Sequence, residues 1–247
     1  GKFILDEANE LAIKYKKQEA IQLVAGMYSD FYRRIGDLDN AHQHTQLSYN
    51  IAENLNQELI SFGAYVRMAE SYYYRNQIDS TFHYLGKITT LTDQLRIPFM
   101  VLLSNYYSGR YSHYNGDHKK SIMHFDFIIE NIPPDFDLSM RVIPKAFNAL
   151  NYHAIGQSEE SQKYIALIQE ELKEGSTFEE MEYYDVLVNA FLVNNRIDDA
   201  KQYILDANDI IMEQSFKIKD RTLRKAFLEK NYWNVKILKI YRKLNPA

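Results

Sequence analysis

Apolar and small residues recur at helical spacing along most of this chain, and the recurrence itself repeats. The segments Gly36-Asp37-Leu38-Asp39-Asn40-Ala41, Asn76-Gln77-Ile78-Asp79-Ser80-Thr81, Gly116-Asp117-His118-Lys119-Lys120-Ser121, Gly156-Gln157-Ser158-Glu159-Glu160-Ser161 and Asn195-Arg196-Ile197-Asp198-Asp199-Ala200 share one pattern. Each opens on Gly or Asn and closes five residues later on a small residue, and the openings are 40, 40, 40 and 39 residues apart. Gly and Asn tolerate the left-handed backbone that ends a helix. The Asp, Glu or Ser that follows can cap or charge-complement the next helix start. The small residue lets two helices approach, so each segment predicts the turn of an antiparallel helical hairpin.

The flanks agree. Four residues before the turn stands a ring in four repeats (Tyr32, Tyr72, Tyr152, Phe191), with Ser112 in the third. Three residues earlier come Ser29, Ala69, Gly109, Ala149 and Val188. Four residues after the closing small residue come Leu85, Phe125, Ile165 and Ile204, with Thr45 in the first repeat. These spacings place ring, small residue and apolar residue on facing stripes of two helices. The predicted pairs are 18–35 with 38–55, 58–75 with 78–95, 98–115 with 118–131, 139–155 with 158–173, and 177–194 with 197–214. Pro98 suits a first helical turn. Pro133-Pro134 should end a helix, Pro144 should kink one or delay its start, and Gly175-Ser176-Thr177 reads as a stop followed by a cap.

Composition narrows the chemistry. The 247 residues include 20 Tyr and 13 Phe, but only 9 Gly, 5 Pro and no Cys. Disulfides, a thiol nucleophile and cysteine-ligated metal are therefore excluded. Lack of cysteine fits the cytoplasm, the expected compartment, and fits the periplasm as well. No apolar run approaches the ~20 residues of a membrane span. The net charge of −4 gives no reason to expect nucleic acid as a partner. From Phe216 onward, ten Lys and Arg face only Asp220 and Glu229, a local excess of +8 that leaves about −12 for the rest.

A small residue, an aromatic, a Gly or Asn turn and then a small residue is also the order in the tetratricopeptide repeat family. The chain resembles that family over roughly Gln18 to Gln214. Its units exceed the common ~34-residue repeat and are similar to the longer repeats of bacterial regulators, including peptide-pheromone receptors. The resemblance implies an all-α, right-handed solenoid of antiparallel helix pairs forming a single domain. In it, 1–15 would be the second helix of a truncated repeat, 18–214 five hairpin repeats, and 216–247 a basic C-terminal capping helix. Within that last segment Leu223, Phe227, Val235, Leu238, Tyr241 and Leu244 predict one long amphipathic helix over about 217–244, which could also serve as a dimer surface.

No phosphate loop, zinc-protease motif or nucleophile elbow is present. His42 and His44 point to different sides of a helix, and acid pairs such as Asp198-Asp199 and Glu179-Glu180 sit at helix starts. No catalytic residue, metal or cofactor is expected. What remains is a surface. In the family the first helices of successive pairs line the inner face, where peptides bind. That register implies Asp30, Arg33 and Arg34 in the first pair, and Arg67, Glu70, Tyr73 and Tyr74 in the second. The third contributes Tyr106, Tyr107, Arg110, His113 and Tyr114, with Tyr106–Arg110–Tyr114 as the favoured anchor. The fourth contributes Phe147, Leu150 and His153, and the fifth Asp185, Asn189 and Leu192. The expected role is a non-catalytic protein- or peptide-binding domain, the sensor or interaction part of a larger bacterial signalling or transcription regulator. The alternatives are a free-standing scaffold or adaptor and a peptide-pheromone receptor domain.

Overall fold

The computed structural model describes residues 2–174 and 180–245. Among them are thirteen α-helices, one 3-10 turn and no strand. After α1 (Lys2–Lys14), five hairpins follow: α2 (Gln18–Arg34) with α3 (Leu38–Leu55), α4 (Glu58–Tyr74) with α5 (Ile78–Leu95), α6 (Pro98–Tyr114) with α7 (His118–Asn131), α8 (Leu138–Ala154) with α9 (Ser158–Glu171), and α10 (Met181–Val193) with α11 (Ile197–Lys217). Two further helices, α12 (Arg221–Glu229) and α13 (Tyr232–Leu244), complete the chain. The described residues form two compact units. One contains the chain up to Val101 plus Thr222–Asn231, the other Leu102–Arg221 plus Tyr232 onward.

Every hairpin turn is built alike. Gly36, Asn76, Gly116, Gly156 and Asn195 all have positive φ, between 58° and 81°. The next residue's N–H returns to the carbonyl five back: Asp37 to Tyr32, Gln77 to Tyr72, Asp117 to Ser112, Gln157 to Tyr152 and Arg196 to Phe191, at 2.8–2.9 Å. This satisfies carbonyls that a helix end leaves orphaned. Asp37 and Asp117 also accept from the N–H groups of Asn40 and Lys120 and so cap the following helix. A second set of left-handed residues, Lys16, Asn56 and Arg96, precedes α2, α4 and α6 at the same 40-residue interval.

The ring ahead of each turn has a partner twelve residues on. Tyr32 stacks on His44, Tyr72 on Tyr84, Tyr152 on Tyr164 and Phe191 on Tyr203, with centroids 5.4–5.8 Å apart and planes within 18°. Each stacked pair contributes roughly 0.5–1.5 kcal/mol beyond burial. In the third repeat Ser112 replaces the ring, and His124 Nδ1 lies 2.9 Å from Asn105 Oδ1, which can only accept. Thr45, the exception in the first repeat, meets Ser29 at 2.6 Å, so two hydroxyls replace an apolar contact.

Three local expectations need revision. The single helix predicted over about 217–244 is two, because the chain breaks at Lys230-Asn231. There Asn231 Nδ2 donates to the Arg34 carbonyl oxygen at 2.8 Å, a tertiary contact that a helix running straight through would lose. Pro144 does not delay α8, which starts at Leu138 with Asp137 accepting from the Ser139 N–H and carries the proline in its interior. The fifth pair's first helix begins at Met181 rather than 177, and the Gly175-Ser176-Thr177 stop and Glu179 lie outside the described residues.

Candidate functional site

In the first unit, α2 and α4 present side chains into one narrow cleft with room for about one water molecule. Its walls include Asp30, Arg33, Arg67, Glu70, Ser71 and Tyr74. Helical spacing brings this about: Asp30 and Arg33 lie one turn apart on α2, and Arg67, Glu70 and Tyr74 succeed each other on one stripe of α4. Arg33 Nη2 lies 3.4 Å from Asp30 Oδ1, and its guanidinium carbon sits 5.7 Å from the Tyr74 ring centroid. All these side chains are half-buried, as is Tyr73; Arg34 is exposed. The cleft therefore holds charge of both signs beside an aromatic face, the mixture that gives rigid contact area and directional polar contacts to a peptide.

The second unit treats the corresponding residues differently. Arg110 is 2% exposed and Tyr106 5%. Arg110 donates through Nε to Glu182 Oε1 at 2.6 Å and through Nη2 to Glu182 Oε2 at 2.5 Å. Tyr114 adds its hydroxyl to Oε1 at 2.9 Å. The guanidinium expected to grip a partner's carboxylate thus grips one supplied by α10. Burial holds the Tyr106 phenol well above its ordinary pKa and raises its neighbour Tyr183 to about 12. As an anchor open to a partner, Tyr106–Arg110–Tyr114 is corrected to a core network.

Several others of that set are covered as well. Phe147 is fully buried and meets His113 edge-on at 5.1 Å. His113 Nδ1 lies 2.7 Å from Asn151 Oδ1, and burial lowers its pKa to about 4. Asp185 is buried, and desolvation raises its carboxyl above the usual range despite Lys236 at 3.8 Å. Lys236, from α13, lies over three rings: 4.6 Å from Trp233, 4.7 Å from Tyr232 and 5.9 Å from Tyr114. The helix expected as a possible dimer surface buries Trp233 and Ile237 against α10 and α11. Asn189 donates to the Asp185 carbonyl oxygen of its own helix. Tyr107, Leu150 and Leu192 are half-buried, and His153 is exposed.

Sequence reasoning passed over Glu182, Trp233 and Lys236, which occupy the second unit's network, and Gly26 and Gly63, which border Arg67. The two glycines carried a signal, since both sit in helix interiors with no turn to make. Among the described residues no three His, Cys, Asp or Glu are grouped to hold a metal, and no helix is long and apolar enough to cross a membrane.

No family model and no curated protein matches the sequence. Solved structures do. The nearly identical TPR-like repeats ascribed to a Podosopora anserina kinesin light chain superpose with a TM-score of 0.56 at 15% identity, covering 79% of this chain and 96% of that one. The apo form of RapI superposes with a TM-score of 0.58 at 10% identity, covering 90% of this chain and 82% of that one. At such identities the likeness establishes the fold: the chain is an all-helical solenoid of the tetratricopeptide type.

Proposed function

We propose that this chain is a non-catalytic protein- or peptide-binding module that recognises its partner through the α2/α4 face of the first unit. It would serve as the interaction or sensor part of a larger bacterial signalling or transcription regulator. The observation that carries this reading is the cleft itself. Asp30, Arg33, Arg67, Glu70 and Tyr74 converge on one narrow cleft, and Tyr73, next to Tyr74 in sequence, is half-buried. Helical-repeat scaffolds of this type use such first-helix surfaces to hold extended or helical peptides.

The test is selection of a random dodecapeptide phage library on the immobilised chain. Enriched sequences should bind the wild type and lose at least tenfold in affinity against Tyr73→Ala/Tyr74→Ala. Failure to enrich any sequence would sink the reading.

A further inference from the structure

Arg67 supports something more specific. Its guanidinium lies across the backbone of α2 at Gly26. A Cβ built there would come within 3.0 Å of Cζ and Nε and 3.3 Å of Nη2. On its own helix, one turn earlier, a Cβ on Gly63 would stand 3.6 Å from Nη1. Glycine inside a helix is unfavourable relative to alanine. Here two such glycines, on two helices, both border one side chain. At Gly26 a methyl group would press on the guanidinium, whereas at Gly63 it would only touch it.

What sits there is unsatisfied. Among the described residues Arg67 makes no hydrogen bond and no ion pair. Its neighbour Arg33 is engaged by Asp30 and Tyr74, and Arg110 of the second unit is held by Glu182. A guanidinium carries five N–H donors in a fixed fork, matched to the two oxygens of a carboxylate. We infer that Arg67 is the anchor for one acidic side chain of the bound peptide. Asp30 and Glu70 line the same cleft. Their negative charge disfavours a dianionic phosphate more than a singly charged carboxylate, and it disfavours a second acid beside the first. The occupant is therefore a peptide with a single Asp or Glu flanked by neutral or basic residues.

This inference rests on the peptide-binding reading above, and one experiment separates the two. The enriched dodecapeptides are compared for a fixed Asp or Glu. That acid is then replaced by Asn or Gln and titrated against wild type, Arg67→Gln and Gly26→Ala. Replacement should weaken binding to wild type at least tenfold and binding to Arg67→Gln less than twofold. Gly26→Ala, which displaces the guanidinium but keeps the charge, should lie between wild type and Arg67→Gln. Enriched peptides without a fixed acid, or an acid that counts equally against wild type and Arg67→Gln, overturn the inference and leave peptide binding standing. A phosphoserine version binding tenfold tighter than the Glu version also overturns it. No enrichment at all removes both.

Discussion

Arg67 and Arg110 both come from first helices of hairpins, and both were expected on the recognition face. In the second unit Arg110 is sealed and paired through two nitrogens with Glu182. In the first unit Arg67 is half-buried, lies on glycine and borders a narrow cleft. The same residue type thus serves internal cohesion in one place and stands ready for an outside group in the other. The difference comes from what faces the arginine. A carboxylate from α10 satisfies Arg110, whereas Gly26 gives Arg67 room but no acceptor. A buried charge with a geometrically good partner is strongly destabilising to break. A half-exposed one is not, because water substitutes for the partner.

The contrast is easiest to break at Arg110. Arg110→Ala strands Glu182 and should cost about 3–5 kcal/mol, read as a fall in the urea midpoint. Arg110→Met/Glu182→Leu should recover most of that loss, since the pair is then removed together. If the single substitution is as mild as a surface change, the second unit's network is not cohesive and the comparison fails.

Acid tests the second unit more gently. His113 faces Asn151, His118 and Lys236, and burial first of all lowers its pKa from 6.5 to about 4. Below pH 6.5 the unfolded chain takes up a proton that the folded chain refuses. Stability must therefore fall as pH drops from about 6.5 to about 4, by about 3 kcal/mol from this group at the usual 1.36 kcal/mol per pH unit. Denaturation midpoints measured across that window should show the slope, and His113→Asn should flatten it. A wild-type stability unchanged between pH 7 and pH 4 would contradict the burial seen here.

The smallest effect sharpens the comparison most. Arg67→Gln should change stability by less than about 1 kcal/mol, the range of substitutions away from buried networks, while removing the acid preference described above. Equal destabilisation by Arg67→Gln and Arg110→Ala would show that both arginines are structural.

Much of this was readable before any coordinates. The 40-residue turn chemistry at Gly36, Asn76, Gly116, Gly156 and Asn195 is local, so sequence carries it. The stacking partner of each ring was not read, because the partner alternates between His44 and tyrosines such as Tyr84 and falls outside an apolar pattern. The separate fates of Arg67 and Arg110 could not be read at all. Glu182 lies 72 residues beyond Arg110, and nothing near Arg110 announces it. The break at Lys230-Asn231 has no Gly or Pro to signal it, and a carbonyl 197 residues away supplies the reason.

That last contact bears on how the molecule is made. A Cβ on Gly36 would fall 2.6 Å from the Lys230 carbonyl carbon, so the first hairpin's turn and the end of α12 fit with no room to spare. A ribosome delivers the two surfaces 197 residues apart, roughly 10–40 s at ordinary elongation rates. For that interval the Gly36 turn waits for the segment that packs on it, and the first unit lacks one of its surfaces until α12 has been made.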